Sequence, residues 1–535
     1  MIDGTAGGAE TAAASGAADE LAEIIAIGRA IASERDIRKL LGLILQKTRG
    51  ITGADAGSVY IVEGLSQPVA RRTLRFMVSQ NDSIKLDFTE FSLPLGERSI
   101  VGRAALTQQV INIADLYALD QADKNPWGFR HDKTFDQRTG YEGHSMLTVP
   151  MKNQRDEVIG VIQLINKRRS PNLGPLQNRL DFEREVLAFS DRDEALAMTL
   201  ATQAGISLEN TLLYEDIRLL FEGFVQAAVN AIESRDPTTS GHSSRVAVLT
   251  TGLAEMVDKE RSGVYAGVTF TDDMMKQIEY AALLHDFGKV GVREQVLVKA
   301  RKLYEPERKL ILLRFDYIRR WRELRSLQRR HELMIAGSEP SLLATLDEEL
   351  HQSLAQIDDF VAFILRANEP TVLAEGSFDK LSEIAVATYE DPRGLVLPYL
   401  TVEEVAALRL QRGSLTSAER EEIESHVVHT ASFLETIPWG RRFAAIPEIA
   451  SGHHEKLDGT GYPNQLRADQ IRVETRMMTI ADIFDALTAS DRPYKKAVPV
   501  ERALDILHSD VRAGKCDAEL YRIFVETKLW HRVLG

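Results

Sequence analysis

Two adjacent histidines open His453-His454-Glu455-Lys456-Leu457-Asp458-Gly459-Thr460-Gly461-Tyr462-Pro463, a stretch that sets metal-ligating side chains on a tight glycine-rich turn. Upstream, His285-Asp286-Phe287-Gly288-Lys289 follows the apolar run Ala281-Ala282-Leu283-Leu284, which reads as a buried helix facing a cavity. Gly288 allows close approach of another chain segment, and Lys289 stands within one turn of His285. A lysine beside a metal centre can stabilise charge developing on a phosphoryl oxygen or protonate a leaving oxygen. Downstream, Asp482 follows Met478-Thr479-Ile480 and so begins buried; a buried carboxylate needs a partner, and a metal is one. Asp485, one turn on, can orient a ligand. Imidazole and carboxylate together suit a divalent transition metal, and a bridging carboxylate suits two.

Two further histidines read as structural when taken alone. His242 follows Ser240-Gly241 at a helix start, and His426 lies on a helix opened by the capping box Thr416-Ser417-Ala418-Glu419. His429 lies one turn beyond His426 and competes with it as a ligand.

The whole set resembles the HD-GYP family, metal-dependent phosphodiesterases that cleave the bacterial second messenger cyclic di-GMP. The resemblance covers roughly residues 222 to 300 and 410 to 515. It implies His242, His285, Asp286, His426, His453, His454 and Asp482 as ligands of two divalent ions, iron or manganese, with Asp286 bridging them. It also implies catalytic roles for Asp286 and Lys289, and substrate contacts from Arg492, Lys495, Gly461 and Tyr462. The products would be pGpG and/or GMP. Some family members hold a third metal through a glutamate four residues before the first histidine; Thr238 stands there, which implies a binuclear site. Two other readings use the same motifs: hydrolysis of another cyclic nucleotide or dinucleotide, or a non-enzymatic scaffold whose Gly-Tyr-Pro loop binds a diguanylate cyclase (GGDEF) protein.

The elements that must position these groups follow from length and pattern. A chain of 535 residues exceeds one compact core, so a multidomain protein is expected. The net charge of -14 argues against coating a nucleic-acid polymer. Cys516 is the single cysteine, which fits a reducing compartment, and no apolar run reaches membrane-span length, so the expected location is cytoplasmic with no membrane partner. Residues 1–19, rich in Ala, Gly, Thr and Ser, are expected to be a disordered tail.

Residues 20–192 begin with two amphipathic helices, then show strand patterns such as Ser58-Val59-Tyr60-Ile61-Val62 and Val158-Ile159-Gly160-Val161-Ile162-Gln163-Leu164-Ile165. They resemble a GAF domain, an α/β small-molecule sensor. Asn166-Lys167, then Phe189, then Asp193-Glu194 match the signature of cyclic-nucleotide-binding GAF domains, which implies cyclic AMP or cyclic GMP as ligand. Lys167 is expected to pair with Asp193 as a latch.

From 193 to 236 no proline intervenes, and Ile206, Leu213, Leu220 and Ala227 recur every seven residues, interleaved with Ile217, Phe224 and Ala231. That pattern predicts a long linker helix forming a coiled coil in a homodimer. Residues 237–535 read as an all-α HD-GYP catalytic domain, interrupted from about 300 to 412 by a helical insertion. Arginine density over Lys302–Arg330 and acidity over Asp347–Asp359 predict an antiparallel helical hairpin with cross-paired charges.

Overall fold

The structure is a computed structural model that describes residues 25–85, 89–121, 125, 128–131, 133–170, 173–236, 240–370, 377–489 and 497–534. The tail 1–19, Thr238, Arg492 and Lys495 lie outside the described residues. The chain divides into two compact units, Met1–Phe221 and Glu222–Gly535.

The first unit is α/β. Its helices are α1 (residues 25–33), α2 (Ile37–Thr52), α3 (Ile100–Thr107), α4 (Thr134–Thr139) and α5 (Arg179–Glu185). Its strands are β1 (Ala54–Glu63), β2 (Thr73–Asn81), β3 (Phe91–Pro94), β4 (Ile111–Ile113), β5 (Met146–Lys152), β6 (Val158–Arg168) and β7 (Val186–Leu187). They form one antiparallel sheet in the order β3-β2-β1-β6-β5-β4, with β7 beside β6. The central pair β1 and β6 sets Val59 opposite Ile162 and Ser58 opposite Gln163. Alternation along these strands places Val59, Ile61, Ile162 and Leu164 on one face, against Leu40, Leu41, Ile44 and Leu45 of α2.

The same core contains Ala197, Leu200, Ala201, Ala204 and Leu208, all from α6 (Asp191–Arg235). The sequence treats 193–236 as a linker, but the helix's first turns belong to the sensor core. Only further along does the heptad stripe reach solvent, at Leu213, Ile217, Leu220 and Phe224. Asp193 accepts from the Ser190 backbone N–H and receives the Lys167 ammonium in an ion pair, so the latch is present at the first turn of α6. Asn166 adopts φ 57 and its side chain bridges strand and loop, accepting from His144 N–H and donating to the Glu142 carbonyl. Phe189 is buried; Glu194 is partly exposed.

The second unit is helical, opening with α7 (His242–Lys259), α8 (Asp272–Leu284) and the short α9 (Glu294–Leu297). The insertion follows as α10 (Glu305–Ile335), α11 (Pro340–Ala367), α12 (Ser377–Val386), the ladder β8 (Thr388–Glu390) and β9 (Val396–Pro398), and α13 (Val402–Leu408). The catalytic segment resumes with α14 (Ser417–Glu424), α15 (His426–Glu435), α16 (Gly440–Phe443), α17 (Ile446–Ser451), α18 (Val473–Thr488), α19 (Val500–Arg512) and α20 (Ala518–Glu526).

Helices α10 and α11 form the hairpin the charges predict, with Arg330 2.8 Å from Asp347 and Arg319 paired with Asp358. The insertion is more than a solvated hairpin. Phe315, Ile318, Phe360, Ile364, Leu381 and Tyr399 make it a core of its own, and Arg314 is turned inward onto Glu404 at 2.7 Å. Among the described residues, no helix is long and apolar enough to cross a membrane.

Candidate metal centre

The histidines and carboxylates singled out above converge from five places in the second unit, mostly at helix ends. His242 is the first residue of α7, His426 the first of α15, and His453 and His454 follow α17. Asp482 lies within α18. His285 and Asp286 do not share one helix, as the sequence reading assumed. α8 ends at Leu284, and Asp286, at φ -94 and ψ 4, turns the chain into a short 3-10 helix over Phe287–Gly291. That break lets two neighbouring side chains aim at one point, which a continuous helix would splay by about 100°.

Gly288 makes the approach possible: a Cβ there would lie 1.8 Å from the His426 carbonyl oxygen. Its N–H donates to Thr430 Oγ1 at 2.8 Å, and that hydroxyl donates to the His285 carbonyl at 2.9 Å. The α8 end is thereby stitched to α15, with His426 facing inward and His429 exposed.

Potential ligand atoms gather in two groups. His242, His285 and Asp482 form one and His426, His453 and His454 the other, and an overlapping group of His285, Asp286 and His453 joins them. Asp286 lies between them. Its Oδ2 is 3.4 Å from His285 Nε2 and 3.7 Å from His242 Nε2, while its Oδ1 is 3.3 Å from His426 Nε2. Asp482 Oδ1 is 3.2 Å from His242 Nε2.

The outer nitrogens are tied down. Nδ1 of His285, His426 and His453 meets the carbonyls of Ala282, Ile423 and Ala450 at 2.6, 2.6 and 2.7 Å, and Nδ1 of His242 meets Asp485 Oδ2 at 2.8 Å. A carbonyl only accepts, so Nδ1 carries the proton in the first three and Nε2 is left with a lone pair. Those three Nε2 atoms are buried with no hydrogen-bond partner. Buried, orphaned lone pairs aimed at one another and at carboxylates are what bound divalent cations would satisfy, so this donor set fits two such ions.

Electrostatics agree. Burial pushes His453 well below the ordinary imidazole range and His454 down to about 4, with their imidazole neighbours adding to the effect. Both are therefore neutral donors at neutral pH. Burial opposes ionisation of Asp286, yet Lys289 and the surrounding imidazoles hold it well below the carboxylate range. His242 is the exception: burial lowers it, but hydrogen bonds to Asp482 and Asp485 outweigh burial and raise it to about 9. A bound cation displaces such a proton.

Lys289 Nζ sits 2.8 Å from Asp286 Oδ2 and 3.5 Å from Asp236, and these carboxylates raise its pKa against burial. Asp485 also receives Arg245, at 2.7 Å, so the His242 ring is held by a charge-assisted pair. Sequence reasoning anticipated Asp485 but missed Arg245, Asp236 and Thr430. Spacing could have found two of them: Arg245 and Thr430 stand one helical turn after His242 and His426.

The glycine-rich turn braces the ligands. Glu455 accepts from the backbone N–H groups of Asn464 and Leu466 at 2.7 and 2.9 Å, closing the loop. Gly461 is buried, and a Cβ there would come within 2.3 Å of the Lys456 backbone nitrogen and 2.5 Å of the Glu455 Cα. Tyr462 lays its ring on His454, with centroids 4.8 Å apart and planes at 28°.

Family comparison places these elements. Residues 36–208 match the GAF domain model and residues 375–520 match the HD domain model. The chain is a multidomain protein that joins an α/β GAF domain to a helical HD domain. It is 41% identical over 102 residues to 3′3′-cGAMP-specific phosphodiesterase 3 of Vibrio cholerae, covering 19% of this chain and 21% of that protein. It is 32% identical over 113 residues to 3′3′-cGAMP-specific phosphodiesterase 1 of the same organism, covering 21% and 25%. A cGMP-specific 3′,5′-cyclic phosphodiesterase of Drosophila erecta is 29% identical over 192 residues, covering 35% of this chain and 15% of that one. The chain thus spans a quarter or less of the length of these relatives.

Proposed function

We propose that this chain is a metal-dependent phosphodiesterase acting on a cyclic dinucleotide, with cyclic di-GMP cleaved to pGpG and/or GMP as the reading the motifs support best. One observation carries it: Asp286 divides its two carboxylate oxygens between two histidine groups. His242, His285 and Asp482 would hold one divalent ion, and His426, His453 and His454 the other, iron or manganese, with Asp286 shared. Bound divalent ions supply Lewis-acid stabilisation of phosphoryl charge and acidify water.

The chain's own groups do the rest. Carbonyls and Asp485 fix each imidazole's tautomer and aim. Lys289, kept cationic by Asp286 and Asp236, offers positive charge to an entering phosphate and a proton to a leaving oxygen. Arg492 and Lys495 are proposed from the motif resemblance to grip the substrate's phosphates.

The Vibrio cholerae relatives' activity on 3′3′-cGAMP supports the dinucleotide class and makes that molecule the competing substrate. Cyclic AMP or cyclic GMP is proposed as the GAF ligand, acting through α6, whose exposed stripe at Leu213, Ile217, Leu220 and Phe224 suits a homodimer. Product chromatography after incubating the manganese- or iron-loaded chain with cyclic di-GMP, 3′3′-cGAMP and cyclic GMP tests the substrate. Linear dinucleotide or mononucleotide from a cyclic dinucleotide is expected; no cleavage of either dinucleotide contradicts the proposal.

A further inference from the structure

We propose that α10 of the insertion pairs antiparallel with α10 of a second copy of this chain. Ile311, Phe315 and Ile318 occupy one face of this helix and are buried in the insertion's core. Roughly opposite them, Leu310, Leu313, Tyr317, Leu324, Leu327 and Met334 recur at spacings of three, four and seven, and all six are between 44% and 65% exposed. The stripe spans about 36 Å at ~1.5 Å rise per residue. A helix needs one such face to join its own domain; a second one left in water marks an interaction surface.

The spacing is that of a coiled-coil seam, with Arg320 and His331 completing it. Charge selects both partner and direction. A parallel pair would set Arg320 beside the partner's Arg320 within the seam. The antiparallel register that overlaps the whole stripe sets Arg320 against the partner's Leu324, Tyr317 against the partner's Leu327 and Leu310 against the partner's Met334. The same register brings Asp316, exposed, to the partner's Arg330, a half-exposed guanidinium that also holds Asp347, at both ends. At the centre, Arg320 holds Glu323 at 3.0 Å, so the like-charged Glu323 residues that meet on the two-fold axis each arrive neutralised. The stripe is therefore complementary to itself when reversed, as an isologous two-fold contact requires.

The test uses the full-length chain. Sedimentation velocity compares the exposed-site double variant Leu324→Glu/Leu327→Glu with its parent, both carrying Leu213→Glu/Leu220→Glu to remove the proposed α6 contact, with circular dichroism as the check on folding. Tyr317→Cys and Leu327→Cys proteins, carrying different tags, are also oxidised separately and mixed; the native Cys516 is buried. The expected results are a halved mass for the folded double variant and a disulfide-linked species of mixed tags formed only in the mixture. A parent mass equal to that of the double variant in that background, or cross-linking of Leu324→Cys with itself as a parallel pair would give, overturns the proposal.

Discussion

Asp286 Oδ1 faces His426 Nε2 at 3.3 Å while Asp286 Oδ2 faces the opposite histidine group, so one carboxylate joins two clusters that come from distant parts of the sequence. The Phe287–Gly291 turn packed on α15 sets this relationship, and the residues behind it are as testable as the ligands themselves.

Replacing Asp485 by Asn removes the anion behind His242 Nδ1 while keeping its shape. Loss of such a supporting carboxylate typically costs 10–100-fold in metal affinity. Competitive chelator titration of Asp485→Asn is expected to show that loss for the more weakly held ion, with activity partly restored by excess metal. Unchanged affinity would mean Asp485 serves only Arg245.

Gly288→Ala forces a methyl into the space 1.8 Å from the His426 carbonyl. Overpacking of this kind costs about 1–3 kcal/mol, and the α8 end must withdraw from α15. Denaturant unfolding is expected to show that loss together with reduced metal content. Normal stability and metal content would show the approach to be looser than described.

How much of this was legible beforehand varied with the kind of constraint. Chemistry-bearing types at fixed spacing, such as His453-His454 and His285-Asp286, announced the centre, because few structural duties need them so close. The helix break at Asp286 was not legible, because nothing local distinguishes a helix ending at Leu284 from one continuing through Gly288; the packing of Gly288 on α15 decides it. The hairpin of α10 and α11 followed from opposite charge on successive segments. The insertion's own core did not, since Phe315, Phe360 and Tyr399 come from three separated segments. The stretch 193–236 reads as one linker helix with a heptad seam from Ile206, yet the early turns of α6 bury Leu200, Ala204 and Leu208 in the sensor. A periodicity states that a face is covered, not what covers it.

Acid should weaken the join between insertion and catalytic segment at a defined place. Burial opposes ionisation of Glu419, but hydrogen bonds from Lys299 and Tyr304 outweigh it and bring its pKa down to about 2. The unfolded value is about 4.3, so the folded form is depressed and its stabilisation is present above that pH. It is lost as pH falls from about 4.5 toward 2. Metal-free wild type and Glu419→Gln, unfolded in denaturant across that window, should differ in slope, the wild type being steeper. Parallel slopes would remove Glu419 from the acid response.

The latch at the start of α6 makes a prediction for the sensor. Isothermal titration with cyclic AMP and cyclic GMP is expected to detect binding of one, and rates at saturation to change. Coupling of the usual 1–3 kcal/mol corresponds to a 5–150-fold effect. Lys167→Ala should reduce that effect more than it reduces binding, since it breaks the Asp193 pair that begins the helix. Binding with an unchanged rate would break the relay.

Elemental analysis of wild type and Asp286→Ala, purified side by side, tests the shared-carboxylate centre most directly. The account predicts two transition-metal ions per wild-type chain, and at most one in a folded but inactive Asp286→Ala. Full metal content with normal turnover in that variant would contradict it.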